Sequence, residues 1–320
     1  MNPLAHPPPP SPLRILRGAI ALSALLVLGA LVNPLAFRAV AAEPPARVLV
    51  INSDASVLRY AEALQAFKET LGLPITEFDL AKSNESLLRR ALTAENPTYI
   101  YCLGGSAYQA ALKLGGGKSI VLSSAINWER FKVDAKTTRV VANEMPAVSQ
   151  LTLFRQFFPK LQRVGVVYTA GMNRQWFAQA VAAGKEVGIE VIGRTITRNS
   201  QLGGALSELT RKVDALWLMP DPDVLDGESS VKLYFARADA ANLPVFAYSP
   251  AYAKFSPTLV IAPDTQTVGR QAAGLVQDFA GAPAVTPPGG SEVTLNLQRV
   301  QKFNLEFNRE ALDSVNHLIR

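Results

Sequence analysis

The sequence predicts an α/β protein made of two Rossmann-like lobes with parallel sheets, joined by a hinge. Short apolar strands alternate with amphipathic helices, and the alternation runs twice, from Arg47 to Ser124 and again from Arg163 to Ser249. Two βα halves of similar size face each other across a cleft lined by loops at the carboxyl ends of their strands. The Pro/Gly-rich break from Gly281 to Gly290 reads as a linker that takes the chain from one lobe back to the other.

Each element has a local reason. Arg47-Val-Leu-Val-Ile-Asn52 is a strand, nearly all apolar, as a parallel strand covered on both faces should be. Ser56 to Leu71 follows as a helix with Leu58, Ala61, Leu64, Ala66 and Phe67 on one stripe, and Gly72 with Pro74 ends it. Ile75 to Leu80 is a strand, and Ser83 to Glu95 a helix capped by Ser83, with Leu87, Leu88, Ala91 and Leu92 inward. Thr98 to Leu103, Ser106 to Leu114 and Ser119 to Ser123 complete the first half as strand, helix, strand. In the second half the strands are Arg163–Tyr168, Glu190–Ile196, Ala215–Met219, Pro244–Tyr248 and Thr258–Ala262. The helices between and after them are Arg174–Val187, Leu202–Lys212, Ser229–Ala241 and Thr265–Phe279, with a last strand at Glu292–Leu297.

Composition bounds the function. The chain has 320 residues, 48% hydrophobic and 18% charged, which excludes disorder as its main description. Its net charge is +6, but Arg14, Arg17 and Arg38 lie in the first 42 residues, where there is no acid. The remainder holds 29 bases against 26 acids, or +3, which gives no case for a nucleic-acid surface. Arg14 and Arg17 precede an apolar run from Gly18 to Val32, and Ala39, Val40, Ala41 and Ala42 offer a cleavage site before Glu43. Residues 1–42 therefore read as a signal peptide; the alternative is an uncleaved N-terminal anchor over Gly18–Phe37. The expected location is periplasmic, with a membrane tether if the leader stays on. The one cysteine, Cys102, falls in an apolar strand and is expected to be a buried structural thiol.

Catalysis lacks material. The two histidines, His6 and His317, supply neither a His-ligated metal cluster nor a Ser/His/Asp triad, and no cofactor is implied. Leu114-Gly-Gly-Gly-Lys-Ser119 imitates the end of a phosphate-binding loop, but Leu112 stands where the motif needs Gly, and the string precedes a strand instead of following one.

Binding residues are sought beyond the carboxyl ends of the strands. Gly105 and Ser106, after Gly104, open a helix whose N–H groups suit a carboxylate; the plainer reading is a glycine turn with Ser106 as cap. Asn52 and Ser53 follow the first strand likewise, with an Asx-type turn as the plainer reading. Across the cleft stand the Thr169–Asn173 loop with Asn173, Asp221 beside Asp223, and Ser249. An acid beside an aromatic suits an ammonium group, with Tyr168, Trp176 or Tyr248 as the cation-π face. Pro220-Asp-Pro-Asp223 is otherwise a rigid turn.

Three runs are familiar: Arg163-Val-Gly-Val-Val-Tyr-Thr-Ala-Gly-Met-Asn173, Lys212-Val-Asp-Ala-Leu-Trp-Leu-Met-Pro-Asp221 and Leu243-Pro-Val-Phe-Ala-Tyr-Ser249. With Ala262-Pro-Asp-Thr-Gln-Thr-Val-Gly-Arg-Gln-Ala272, and more loosely Tyr101-Cys-Leu-Gly-Gly-Ser-Ala-Tyr-Gln-Ala110, they resemble the ABC-transporter substrate-binding family of aromatic-amino-acid type. The resemblance covers about residues 46–300 and implies a type I periplasmic-binding-protein fold. It places lobe 1 at 46–145 plus 252–283 and lobe 2 at 146–251 plus 284–320. Hinge crossings are then expected near Glu144–Pro146, Ser249–Tyr252 and the Pro/Gly linker. It also puts Asp264 on a family position, with helix capping as the plainer reading. The loop Ser123-Ser-Ala-Ile-Asn-Trp128 offers Ser124 and Asn127, yet departs from the family's Asp-Pro pair, so ligand identity does not transfer.

The function expected is the periplasmic binding component of an ABC importer, a monomer holding an amino acid or similar small molecule for a permease and its ATPase. The alternative is an envelope sensor or accessory module of the same fold, which regulates a membrane partner without transport.

Overall fold

The computed structural model describes residues 46–320, so the leader or anchor read at 1–42 lies outside the described residues. The first half runs β1 (Val48–Asn52), α1 (Leu58–Leu71), β2 (Ile75–Asp79), α2 (Glu85–Glu95), β3 (Tyr99–Leu103), α3 (Gly105–Leu114), β4 (Ser119–Ser123), β5 (Thr138–Val141) and α4 (Ala147–Phe157). The second half runs β6 (Arg163–Thr169), α5 (Ala170–Val187), β7 (Glu190–Ile196), α6 (Leu202–Leu209), β8 (Ala215–Trp217), α7 (Gly227–Ala240), β9 (Val245–Ala247) and β10 (Leu259–Pro263). The chain closes with α8 (Thr265–Gln277), β11 (Val285–Thr286), β12 (Ser291–Asn296), α9 (Leu297–Lys302) and β13 (His317–Ile319).

Two sheets result. The first has the order β11-β5-β4-β3-β1-β2 and is parallel throughout. The second has the order β13-β12-β10-β9-β8-β6-β7, and its only antiparallel pairing among the described strands is β10 with β12. In the first sheet Asn52 pairs with Leu103, and Leu103 with Ser123, so these strands end level and their outgoing loops share one edge. Each sheet is covered on both faces, as the near-continuous apolar strands require. One face of the first buries Val48, Val50 and Tyr101 under α1 and α8; the other buries Leu49, Ile51 and Cys102 with Leu88 and Tyr108. Cys102 is fully buried, and burial pushes its thiol far above the ordinary range, as an inert structural residue requires.

The helix-ending glycines stand where expected, with Gly72 and Gly188 in the left-handed region after α1 and α5. The cap of α2 is Asn84 instead of Ser83: its Oδ1 accepts the Leu87 N–H at 3.0 Å. The Gly115–Lys118 string forms the turn between α3 and β4, with Lys118 on Asn96 Oδ1 at 2.7 Å.

Several boundaries differ from expectation. Residues 252–263 belong with the second sheet through β10, because Tyr252 and Phe255 pack into the core beneath β9 and β10. The Ser249–Tyr252 segment is thus no crossing; Ser249 caps a short 3-10 turn by accepting the Ala251 N–H. Val285–Thr286, placed by the sequence reading in the second lobe, forms an edge strand of the first sheet beside β5. The chain passes between the lobes at 142–146, at 264 and at 287–290. The last two touch, since the Asp264 N–H donates to Gly290 O at 3.0 Å. Beside them Arg59 of α1 donates to Pro263 O and pairs with Glu292 at 3.0 Å.

Candidate functional site

A cavity of about 1130 Å³ opens between the two sheets, somewhat larger than the roughly 300–1,000 Å³ usual for small-molecule pockets. The first lobe supplies the loop after β4 (Asn127–Arg130) and Val285. The crossing from β5 (Ala142–Pro146) forms one side. The second lobe supplies the first turn of α5 (Ala170–Asn173), Ile196 at the end of β7 with Thr197 after it, Met219, Pro220 and Asp223 after β8, and Tyr248 after β9.

The wall is apolar and soft. All three tryptophans of the chain, Trp128, Trp176 and Trp217, line it, and so do Met145, Met172 and Met219, every methionine except Met1. Trp176 and Trp217 stand 5.0 Å apart between ring centroids at 60°. Trp217 is further held by Phe154 at 5.3 Å, edge-on, and donates its indole N–H to Gln150 Oε1 at 3.1 Å. Gln150 in turn donates to Met145 O at 2.9 Å, which ties the aromatic floor to the first crossing. Aromatic faces give rigid contact area, and thioethers adapt to irregular shapes.

The acid nearest the first crossing is Glu144. As a residue it is half-buried, yet its Oε2 is sealed from solvent and has no hydrogen-bond partner. Its Oε1 accepts the backbone N–H of Asn127. Burial pushes the carboxyl up to about 7; the Asn127 N–H pulls it down, and the negative charge of Glu129 pushes it further up. Nearby, the Tyr248 hydroxyl shares a 2.6 Å hydrogen bond with Tyr252, and burial drives its phenol upward. Among the described residues no cluster of three metal-ligating side chains occurs.

The residues picked from sequence divide cleanly. Asn127, Asn173, Tyr248 and Trp176 line the cavity. Asn127 sits at φ +52°, a left-handed conformation that asparagine tolerates better than most residues. Asn52, Ser53, Gly105, Ser106, Ser124, Tyr168, Asp221, Ser249 and Asp264 stand outside its lining. Asn52 closes an Asx turn onto the Asp54 N–H at 3.1 Å. Ser53 Oγ accepts the Ala107 N–H at 2.9 Å and thereby caps α3, while the Phe131 ring covers Gly105, where an added Cβ would approach it to 2.6 Å. The expected anion cradle at α3 is thus occupied by the protein itself. Ser106 is exposed, and Ser124 is buried at φ +56° with its hydroxyl 3.4 Å from that of Ser123. Tyr168 stacks on Phe177 at 4.5 Å.

The two acids favoured as ion contacts hold backbone instead. Asp221 is 1% exposed. Its Oδ2 accepts the Thr169 N–H at 2.7 Å, the Thr169 hydroxyl at 2.9 Å and the Asn173 amide at 2.7 Å. Its Oδ1 accepts the N–H groups of Asp223 and Val224. Asp264 caps α8, accepting the Thr267 N–H at 2.7 Å. Asp264→Ala is expected to lower stability by about 1 kcal/mol, measured by urea denaturation; a tenfold or larger loss of ligand affinity would return this residue to the binding site. Sequence reasoning missed Glu144 and Trp217. The first was legible as a lone acid in the crossing Ala142-Asn-Glu-Met-Pro146, the second as an aromatic at the end of a short buried strand.

Comparison with solved structures places the fold. The chain is 15% identical, with a TM-score of 0.65, to the ligand-free, open form of a substrate binding protein with adhesive properties from Clostridium difficile, over 86% of this chain and 99% of that one. It is 16% identical, with a TM-score of 0.59, to an ABC domain from Streptococcus pneumonia in complex with L-Trp, over 86% and 100%. A conserved domain protein from Vibrio cholerae gives 17% and 0.59 over the same shares. These likenesses show the two-lobed α/β fold of type I periplasmic binding proteins. No curated protein matches the chain. The family model of the ABC transporter substrate binding protein matches residues 53–313, most of the chain's length, and the chain belongs to that family.

Proposed function

We propose that the chain is the exported receptor of an ABC importer. It captures a small organic ligand, an amino acid or a related molecule, between its lobes and presents it as a monomer to a permease driven by an ATPase. The observation that carries this reading is the cavity itself: about 1130 Å³, walled by both lobes and one crossing, with every tryptophan of the chain on its surface. The L-Trp carried by the Streptococcus pneumonia domain supports the amino-acid class. Among the described residues no helix is long and apolar enough to cross a membrane, and the leader read at 1–42 supplies the export signal. Closure on the ligand turns on the crossings at 142–146, 264 and 287–290.

The wall gives the test its signal. Titrating residues 43–320 with amino acids, small peptides, nucleosides and organic acids is expected to shift tryptophan emission saturably for one ligand class. The same ligand at 100 times its Kd adds about 2.7 kcal/mol and raises Tm by roughly 5 °C. A folded protein that answers no member of the panel in either measurement would overturn the receptor reading and favour a sensor or accessory role.

A further inference from the structure

One helix follows the cavity far beyond the mouth of the cleft. On α5 the lining residues Asn173, Trp176, Gln179, Ala183 and Glu186 recur every third or fourth position, so a single face of the helix stays in the wall. From Asn173 to Glu186 that face runs about 20 Å, at roughly 1.5 Å per residue. Ala147, Val148 and Gln150 of α4, the helix packed beside α5, line the same cavity. This arm is therefore a groove between two helices of the second lobe. Just past Glu186 the Arg155 side chain of α4 donates to Val187 O at 3.1 Å and to Gly188 O, and there the two helices are tied together. Along one side the groove is open to water, since Val148, Gln179, Ala182 and Glu186 are exposed.

A single amino acid fills only a fraction of such a length. Extended chain advances about 3.4 Å per residue, so about 20 Å holds about six residues. The walls mix amide and apolar groups: Asn143 and Gln179 each offer a donor and an acceptor, while Trp176, Ala183 and Val148 are apolar. An alkyl chain would cover the amides and give them nothing in return. A peptide presents one N–H and one C=O at almost every residue, with side chains on alternating sides for the apolar positions. We propose that the groove between α4 and α5 extends the ligand site, and that it takes a peptide of about four to six residues in extended form, running from the cleft along α5 toward Glu186. This rests on the receptor reading above and lengthens its ligand beyond a single amino acid.

Size and side-chain choice agree with that occupant. The cavity, at about 1130 Å³, exceeds the roughly 300–1,000 Å³ that serves a drug-sized molecule. Ala147, Ala182 and Ala183 keep the groove shallow-walled, which lets a main chain approach both helices. Ala182 lies between Gln179 and Glu186 and points to solvent-exposed wall, so a bulky ring there blocks the outer half of the groove without entering the core. Val148 gives the same access from the α4 side.

The experiment is a calorimetric titration with peptides of graded length. Three series carry Trp, Leu or Lys at the amino end and alanine after it, with members of one, two, four, six and eight residues. In at least one series affinity is expected to rise about tenfold or more from the free amino acid to the four- or six-residue member, and to rise no further at eight. Ala182→Trp is expected to weaken the four- and six-residue members about tenfold or more, with its unliganded Tm as the check on folding. Should Ala182→Trp fold poorly, Val148→Trp tests the same groove from the other helix. A free amino acid that binds as tightly as every longer member of its series would overturn this proposal and leave the receptor reading standing. So would long-peptide affinity unchanged in both variants, or binding of a nucleoside or organic acid but of no peptide. No response to any of these series or to the wider panel overturns both.

Discussion

Asp221→Ala is expected to destabilise the protein by about 3 to 5 kcal/mol and to lower Tm by roughly 10 °C. The carboxylate is buried among five donors: the N–H groups of Thr169, Asp223 and Val224, the Thr169 hydroxyl and the Asn173 amide. Alanine removes every acceptor at once and leaves those donors with no partner in a site closed to water. Asp221→Asn tests the account, because it retains one carbonyl oxygen but turns an amide toward donors; about 2 kcal/mol is expected from it. Guanidinium denaturation of the three proteins separates these values. The bonds bind the β6–α5 junction to the loop after β8, and both segments form cavity wall. Ligand affinity is thus expected to weaken as well, through displaced loops, and a variant that bound weakly at full stability would instead make Asp221 a direct contact.

Gly269→Ala is the second large effect. An added Cβ on this residue of α8 would overlap the carbonyl oxygen of Ala63 on α1 and crowd the Ala63 carbonyl carbon at 2.9 Å. That neighbour is backbone and cannot rotate away, so the two helices must separate. Gly269, Ala272, Ala273 and Val276 recur at helical spacing and form the face that lets α8 lie against Ala63 and Phe67. Overpacking of this kind costs about 1 to 3 kcal/mol and sometimes more; with the backbone as obstacle about 3 is expected, less roughly 1 regained from the helix preference of alanine. Gly269→Val adds bulk without that gain and is expected to prevent folding. A midpoint shift in urea with unchanged slope checks the first, and soluble yield checks the second.

What could be read from the chain, and what could not, follows from where the information lies. Apolar runs and helix-ending glycines are local, so β1 to β4 and β6 to β10 were legible to within a few residues. The short edge strand β11, hidden in a Pro/Gly stretch, exists only because β5 offers it a partner. Helix α4 has an ordinary apolar stripe, Leu151, Phe154 and Phe157, but it lies in the interval between the two cadences and belongs to neither repeat. The candidate site was harder for one physical reason. Residues at strand ends have two jobs open to them, satisfying loop backbone or meeting a ligand, and both select Asn, Asp, Ser and Gly. Ser53, Asp221 and Asp264 took the first job. The family-like string at Thr267-Val-Gly-Arg-Gln-Ala272 is likewise accounted for by helix contact at Gly269. By contrast Glu144 resembles no cap or turn residue; its local signal is a lone acid in an otherwise uncharged crossing, and burial of its carboxyl makes that signal plain.

Because the chain crosses between lobes three times, neither lobe is encoded by one continuous stretch. Helix α1 packs on the sheet early but lacks the helix beside it until α8 is made, and the first sheet lacks its outer strand until Val285–Thr286. A growing polypeptide therefore cannot complete its amino-terminal core until the second lobe's strands β6 to β10 have already been synthesised. Contacts so distant in sequence slow folding: the last segments to appear are the ones that lock the first.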